Sequence, residues 1–179
     1  MKSIIIRLLT LDDVDEWLEQ CEILDSESGE NNVYFGPYSR EEPFSKNKIR
    51  KKTIKLWSQK ITVPSWRRAW GIFDENQIIG SAQIAAGDLP TSLHRVNLGL
   101  GIYSEYRNLG LGQRLFHIII DWCRNEPTIS WIDLGVFSGN NNAKIVFEKV
   151  GFKKTGHIED AWFIDGLSIG ETLMTINVK

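Results

Sequence analysis

Alternation of apolar and polar positions predicts the strands in the first half of the chain. The first apolar run, over residues 4–8, places two isoleucines and a leucine on one parity, as a half-buried strand does. Two further runs, over residues 69–73 and 78–85, flank a short polar turn at 74–77, which is the pattern of an antiparallel hairpin. A third strand follows a loop and ends near Tyr103.

Helical spacing predicts two helices, one on either side of a long irregular connection. Thr10 and Asp13 form a capping box before apolar residues that recur every three or four positions as far as Cys21. From residue 25 to 43 the pattern is interrupted by Gly, Asn, Ser and Pro. A second helix is expected over about residues 44–60.

The second half of the chain predicts one strand–helix–strand–helix unit and a final hairpin. Residues 110–124 show the clearest amphipathic helix, and an alternating strand follows at 132–136. Residues 140–150 form the second helix, which Gly151 closes where a left-handed residue is favoured. The tail, 152–178, predicts two strands joined by an Asp-Gly turn. The fold class is therefore α/β of the α+β kind, with a mostly antiparallel sheet.

Composition and charge narrow the class of protein. A chain of 179 residues that is 42% hydrophobic can bury a sizeable core, which excludes a disordered or collagen-like protein. Its net charge of −2 gives no reason to expect nucleic acid or an anionic membrane as a partner. The two cysteines, Cys21 and Cys123, are far apart and lack a CxxC spacing, so we expect neither a disulfide nor a metal site. Residues 1–16 predict neither a signal peptide nor a membrane span, and we expect one cytoplasmic domain.

Two glycines at the start of the clearest helix are the strongest chemical signal. Gly110 and Gly112 lie between a strand and that helix, where glycine lets the backbone approach a ligand closely. The first amides of a helix lack internal partners and lie at the positive end of its dipole, so they favour a diphosphate. Glycines that merely turn the chain are the alternative. A dinucleotide fingerprint would need a third glycine where Leu115 stands, and the Lys-Ser/Thr pair of a P-loop is missing.

Arg107-x-x-Gly110-x-Gly112 resembles the acetyl-CoA pyrophosphate motif of the GNAT N-acetyltransferase superfamily. Residues 140–152, with the pattern Asn-x-x-Ala-x-x-x-Phe-x-x-x-Gly-Phe, are similar to the second cofactor segment of that superfamily. The resemblance implies the GNAT fold, in which helices flank a mixed sheet with a splayed central strand pair. It implies one N-acetyltransferase domain over residues 1–179, with acceptor-side helices and loop at 11–64 and an acetyl-CoA-binding core at 94–152.

The resemblance also implies how acetyl-CoA is held as cosubstrate, without a metal. Backbone amides at the glycine-rich bend would bind the pyrophosphate, and the backbone of Ile102 would meet the acetyl and pantetheine groups. Asn140 would bond the pantetheine arm, although a simple helix cap is also consistent with it. Phe147 would lie against the thioester. The expected cofactor-binding residues are Ile102, Arg107, Asn108, Leu109, Gly110, Leu111, Gly112, Gln113, Asn140 and Phe147.

The sequence departs from the superfamily at the positions that carry acid–base chemistry. Phe147 stands where many members have a tyrosine that protonates sulfur. Asn97 takes the place of a strand glutamate, and Gly135 takes the place of the base found in ribosomal-protein alanine acetyltransferases. A general acid or base typically contributes a factor of about 10² to 10⁴ to the rate. The catalytic groups must therefore be sought elsewhere, or the amine must react already neutral.

Two residues, Tyr103 and Asp133, are our catalytic candidates. Tyr103 stands at the end of the third strand and could donate to the thiolate, or it could simply pack there. Asp133 shares the parity of Gly135 on its strand, so it could point to the same face. Glu105 is a further carboxylate near the strand end, and a solvated or salt-bridged carboxylate is the alternative for both acids. His117 is better explained as a helix residue.

The sequence does not specify which amine accepts the acetyl group. Eleven acids against one base, Arg40, lie between residues 12 and 42, which could attract a polycation or could form a solvated helix face. Residues 46–55 carry six basic side chains, which could hold a cofactor phosphate or be exposed. Aromatic residues at 34–44 could line the acceptor pocket or bury the loop. A polyamine, an aminoglycoside-like amine and a peptide amine all stay open.

The predicted activity is direct transfer of an acetyl group from acetyl-CoA to a primary amine of a small molecule or peptide. The alternative is a catalytically degenerate module that binds or senses acyl-CoA, which the residues at Asn97, Gly135 and Phe147 favour. Nucleic-acid binding ranks third and is not expected. No membrane partner is expected, and a homodimer stays open.

Overall fold

The structure, a computed structural model, describes residues 4–30 and 33–179 as one seven-stranded sheet with helices on both faces. The strands are β1 (Ile4–Leu8), β2 (Arg67–Asp74), β3 (Gln77–Ala86), β4 (Arg95–Ile102), β5 (Trp131–Phe137), β6 (Lys153–Ile164) and β7 (Leu167–Asn177). The helices are α1 (Val14–Glu27), α2 (Lys46–Trp57), α3 (Leu111–Asn125) and α4 (Asn141–Val150). The mixed α/β class and the mostly antiparallel sheet are thus confirmed.

Among the strands of residues 4–30 and 33–179, β4 and β5 are the one neighbouring pair that runs parallel, and the sheet opens between them. Its order is β1-β2-β3-β4-β5-β7-β6, and all neighbours are antiparallel except β4 and β5. The β4–β5 pairing runs from Arg95↔Trp131 to Asn97↔Asp133 and then stops, although β4 continues to Ile102 and β5 to Phe137. The two strands therefore diverge, as expected from the resemblance. We call the gap between residues 98–102 and 134–137 the cleft.

Each face of the sheet has its own apolar cluster. On one face α1 and α2 pack on β2 and β3, with Trp17, Leu18, Trp57 and Phe73 buried there. The opposite face carries α3 and α4 over the larger core, whose buried members include Leu115, Phe116, Ile119, Ile132 and Phe147. The apolar residues of β4 at 96, 98, 100 and 102 and of β5 at 132, 134 and 136 all pack in the larger core, because alternate side chains of a strand point to the same face.

The helix boundaries differ slightly from the predicted ones. A 3-10 turn over Leu11–Asp13 precedes α1, which continues two residues beyond the expected break at Asp25. Helix α2 is shorter at both ends than expected. At its C-terminus the Ser58 hydroxyl donates to the Ile54 carbonyl (2.7 Å), so a side chain bonds one of the last carbonyls and the helix ends there.

The predicted capping box at Thr10 and Asp13 is confirmed and anchors the first turn. The Thr10 amide and hydroxyl both donate to Oδ2 of Asp13, at 2.7 and 3.0 Å. Arg7 adds two hydrogen bonds to the same carboxylate, at 2.8 and 2.6 Å. The Arg7 hydrogen bond above all, with the Thr10 donors, lowers the pKa of Asp13 to about 2.

Neither a membrane-spanning helix nor a metal-ligand cluster is found in the described part of the chain. No helix within residues 4–30 and 33–179 combines the length and apolar character that crossing a membrane requires. In those same ranges, no group of three or more His, Cys, Asp and Glu side chains is arranged to hold a metal ion.

Candidate functional site

The first backbone amides of α3 are bare, in the sense that they have no partner within the helix. Gly110 precedes the helix with φ 74° and ψ 2°, a left-handed conformation that favours glycine. The first helical hydrogen bond runs from the Arg114 amide to the Gly110 carbonyl (3.2 Å), so the amides of Leu111, Gly112 and Gln113 precede the helical ladder. No side-chain cap is found there among the described residues. This geometry suits an anion such as a diphosphate.

Glycine is needed to different degrees at the two glycine positions of the motif. A Cβ atom at Gly110 would meet nothing within 4 Å, so the residue is required for its backbone conformation and the space around it is open. A Cβ atom at Gly112 would lie 3.7 Å from Cδ1 of Ile102, which is an ordinary contact. Gly110 is therefore the more restrictive position of the two.

Strand β4 turns hydrogen-bonding groups into the cleft. The Tyr103 amide donates to the Ile79 carbonyl of β3 (3.0 Å), so alternate residues bond that neighbour. By the antiparallel pattern, Leu100 and Ile102 point their amides and carbonyls the other way, toward β5. Beyond Asn97 that direction is open because β5 has diverged, except at the Ile102 carbonyl, which accepts a hydrogen bond from Arg107. An extended ligand can therefore bond β4 as a short additional strand.

Arg107 does not face the amides of α3. Its Nε–H donates to the Ile102 carbonyl (2.8 Å), and its guanidinium forms an ion pair with Glu27 at the end of α1. The guanidinium also lies 5.0 Å from the ring centroid of Phe35. The arginine of the motif thus ties the bend to α1 and to the loop that follows it. Its guanidinium is therefore already paired, with Glu27 and the Ile102 carbonyl rather than at the α3 amides.

Asn140 and Phe147 both have structural roles. The Asn140 side-chain oxygen accepts the Ala143 amide (3.3 Å) and caps α4, which leaves its NH₂ group able to donate to a ligand. Phe147 is 7% exposed, and its ring centroid lies 4.9 Å from Phe116 and 5.6 Å from Phe152. The contact of Phe147 with a thioester stays a prediction.

Tyr103 is the buried polar group nearest the end of β4. Its pKa is raised to about 12 by burial first and then by the negative potential of neighbours such as Glu105. At neutral pH it is therefore protonated, so its hydroxyl has a proton to donate in a hydrogen bond. Glu105 is exposed in the 3-10 turn after β4, and His117 is exposed on α3.

Asp133 does not lie where our prediction needs it. It stands at the last β4–β5 pair, before the cleft opens. Arg95 donates two hydrogen bonds to its carboxylate, at 2.8 and 2.5 Å, and the Thr175 hydroxyl donates a third at 2.6 Å. A carboxylate held by three donors at the paired end of the strands is a structural group. This geometry argues against Asp133 as a catalytic base.

The carboxylate of Glu171, which the sequence did not indicate, lies where a side chain at position 135 would be. Glu171 lies on β7 opposite Phe137, and a Cβ atom at Gly135 would overlap its Oε1. The Trp162 indole donates to Oε2 (3.3 Å). The one available signal was the glycine itself, because a glycine inside a strand marks close approach of another group.

Three aromatic rings stand beside that carboxylate. Tyr34, Phe137 and Trp162 pack edge to face, with centroids 6.5 Å apart for Tyr34–Phe137 and 6.2 Å apart for Phe137–Trp162. The loop that carries Tyr34 is tied to the tip of the β6–β7 hairpin. Ser39 and the Arg40 amide both donate to Asp165, at 2.5 and 3.0 Å.

Two acids of the acidic run pair with two cations of the basic run. Asp15 pairs with Arg50 at 2.6 Å, and Glu22 pairs with Lys46 at 2.9 Å, because α1 and α2 pack side by side. These pairs reduce the field that could attract a polycation. They also engage two of the cations that could have bound a cofactor phosphate.

Neither cysteine has the environment of a nucleophile. Burial is the main cause that raises the pKa of Cys21 and of Cys123 to about 12. A thiol with such a pKa carries almost no thiolate at neutral pH, and the thiolate is the reactive form.

Comparisons with known proteins agree with this geometry. A model of the Acetyltransferase (GNAT) family matches residues 14–152. The L-amino acid N-acetyltransferase AaaT of Escherichia coli K12 is 28% identical over 82 residues, which are 46% of this chain and about half (51%) of that relative. An acetyltransferase of the GNAT family from Streptococcus pneumoniae has a TM-score of 0.79 at 20% identity, covering 99% of this chain and 100% of its own. The structure of yncA, a putative acetyltransferase from Salmonella typhimurium with its cofactor acetyl-CoA, has a TM-score of 0.78 at 14% identity, covering 99% and 95%. The chain therefore belongs to the Acetyltransferase (GNAT) family.

Proposed function

We propose that this chain transfers an acetyl group from acetyl-CoA to a primary amine of a small molecule or peptide, within one domain that spans residues 1–179. The observation that carries the proposal is the juxtaposition of the bare α3 amides, residues 111–113, with the open end of the β4–β5 cleft. A diphosphate on those amides would let an attached arm extend between the diverging strands.

The residues present fit that ligand. The amides after Gly110 would hold the diphosphate, with Asn108, Leu109 and Gln113 flanking it. The Ile102 amide and the Asn140 NH₂ group would bond the arm. The thioester supplies an activated acetyl group, so the task of the protein is to hold the amine against it and to remove a proton.

Direct transfer needs a neutral amine. At pH 7 a lysine-like ammonium with pKa about 10.4 costs roughly 4–5 kcal/mol to deprotonate, whereas an α-amino group costs about 1 kcal/mol. The raised pKa values of both cysteines support direct attack by the amine rather than an acetylated enzyme. Because Tyr103 is a weaker acid than a thiol, we assign it a hydrogen bond to sulfur rather than full proton transfer.

A second candidate function is an acyl-CoA-binding module without turnover. The observation that favours it is Phe147, which packs in the core and has no hydroxyl to donate. Such a module would keep the α3 amides and the cleft but would not respond to amines. A cytoplasmic location and a homodimer stay predictions.

Release of thiol from acetyl-CoA separates the two functions. The assay uses the full chain with spermidine, an aminoglycoside, an amino acid and a short peptide, each against a blank without amine. If the chain is an acetyltransferase, thiol release should depend on at least one of the amines. In that case Tyr103→Phe should lower kcat about tenfold and leave the acetyl-CoA affinity unchanged. Tight acetyl-CoA binding without amine-stimulated release would establish the module instead.

A further inference from the structure

The carboxylate of Glu171 takes the place of a side chain that β5 lacks. Gly135 lies just beyond the last β4–β5 pair, at the edge of the cleft. A Cβ atom there would overlap Oε1 of Glu171, so the carboxylate of β7 fills the position that a residue of β5 would use. Any residue larger than glycine at 135 would displace it.

The orientation of Glu171 is set by its neighbours. Glu171 pairs with Phe137 across the β5–β7 ladder, so its side chain emerges on the same face as Gly135 and Phe137. The Trp162 indole donates to Oε2 (3.3 Å) and holds the group over β5. Within the described residues, no protein donor is bonded to Oε1. One oxygen is therefore fixed and the other is left for a ligand.

The surroundings suit a cation. The rings of Tyr34, Phe137 and Trp162 form a wall next to the carboxylate, and Tyr34 is buried. Aromatic faces and a carboxylate together favour an ammonium group on an apolar stem. The guanidinium groups of Arg95 and Arg107 are paired with Asp133 and Glu27, and that of Arg40, on the loop that carries Tyr34, lies 3.9 Å from Glu30.

We propose that Glu171, aimed into the cleft across Gly135, binds the ammonium of the acceptor and takes its proton, with the Tyr34–Phe137–Trp162 wall holding the adjoining stem. This assignment rests on the proposed acetyl transfer, and it supplies the general base that is missing at positions 97 and 135. Glu171 is thus a catalytic residue from a strand where the sequence offered no candidate.

The proton and electron balance is simple. The ammonium loses one proton to Oε1 of Glu171, which passes it to water. The amine nitrogen then forms a bond to the acetyl carbon while the carbon–sulfur bond breaks and its electron pair leaves with sulfur. The second proton lost by the nitrogen accompanies that pair, so the products are an acetamide and coenzyme A thiol.

Glu171→Gln is the direct test, since glutamine keeps the size of the side chain and an oxygen for the Trp162 indole. With the best amine of the panel, we expect kcat/KM to fall at least about 100-fold while acetyl-CoA affinity and the thermal midpoint stay unchanged. Hydroxylamine, a far weaker base than an alkylamine and therefore mostly neutral at pH 7, should lose no more than about fivefold, because no base has to remove a proton before it attacks. Equal losses for both acceptors, or a loss below about threefold for the amine, would overturn the assignment.

Glu159→Gln is the matched control. Glu159 lies on the same hairpin, with 86% of its side chain exposed, and pairs with His157. His157 stands opposite Thr172, whose side chain points to the other face from Glu171. This variant makes the same charge change away from the cleft and should leave kcat/KM within about twofold of wild type.

A relocation of the carboxylate tests the geometry itself. In Glu171→Gly the base is lost, and adding Gly135→Glu returns a carboxylate from β5 to the space just vacated. We expect the double variant to recover at least about tenfold of the lost kcat/KM. Failure of the double variant to exceed Glu171→Gly, with both folded and binding acetyl-CoA, would contradict the proposal. A wild-type chain without amine-dependent turnover would instead defeat the proposed function, so the two failures are distinguishable.

Discussion

The two sides of the cleft are built in different ways. On the proposed cofactor side, one continuous stretch, residues 107–113, supplies the bend, the left-handed glycine and the bare amides. On the proposed acceptor side, Tyr34, Gly135 and Glu171 come from three segments that only the folded sheet brings together. A site made of main-chain groups can be recognised from local sequence, whereas a site made of side chains from distant strands depends on pairing and register.

The largest effect is expected at Gly110, where the cofactor side depends on one residue. Gly110→Asp places an L-residue at φ 74° and a negative charge at the positive end of α3. We expect acetyl-CoA affinity to fall by more than about 100-fold in calorimetry, since strain and repulsion act together.

Gly166→Asp controls for the backbone cost of that change. Gly166 also has a left-handed conformation, with φ 82°, but it lies in the β6–β7 turn. The Gly166→Asp variant should lose stability to a similar extent as Gly110→Asp and should keep its acetyl-CoA affinity. Unchanged acetyl-CoA affinity in Gly110→Asp would remove the α3 amides from the site.

A smaller effect is expected from Asp165, which joins two parts of the acceptor side. Asp165→Ala removes the acceptor of the Ser39 hydroxyl and the Arg40 amide, so the loop that carries Tyr34 is no longer tied to the hairpin. We expect a several-fold rise in the KM of the amine with unchanged acetyl-CoA affinity, measured by steady-state kinetics and calorimetry. Asp160→Ala, which breaks only a contact to Ser168 inside the hairpin, is the control. Equal KM values for the two variants would show that the tie does not shape the acceptor side.

The smallest effect is expected at Asp13, which lies outside the cleft and affects the free energy of unfolding. The pKa of Asp13 is about 2 in the folded chain, below its ordinary 3.8. A lowered carboxyl pKa stabilises the fold above about pH 4, and the contribution is lost as the pH falls through 2. Because Arg7 is 43% exposed, Asp13→Asn should cost only about 1 kcal/mol at pH 7.

Denaturant unfolding at pH 7 and pH 3 measures the Asp13 contribution. The difference between wild type and Asp13→Asn should be clearly smaller at the lower pH. Asp12→Asn, at the exposed neighbouring position, should change the free energy of unfolding by less than about 0.5 kcal/mol at either pH. An Asp13 effect that grows on acidification would contradict the assigned direction of the pKa shift.

Local signals predicted much of the fold correctly. The Asp74–Gln77 turn, the Gly151 cap and the start of α3 all stand where the sequence placed them, because each depends on residues within a few positions of one another. Asp133 shows where such reasoning fails. Its parity on β5 was predicted correctly, but parity does not reveal that Arg95 lies on the neighbouring strand and binds it.

Arg107 shows the same limit within the motif itself. Its position before the glycines was evident, yet the guanidinium bonds Glu27 and the Ile102 carbonyl, which are 80 and 5 residues away. No spacing rule connects a loop arginine to the end of the first helix. The structure thus changed the role of this side chain while it kept the backbone site.

The sequence by itself determined the elements, the family and the bare amides at the start of α3, since helix ends, turns and glycine conformations are encoded by neighbouring residues. Only the tertiary structure decided which carboxylate faces the cleft. That choice depends on the register between β5 and β7, which sets Glu171 beside an absent side chain at Gly135. Strand register results from the packing of the whole sheet, and neither strand encodes it alone.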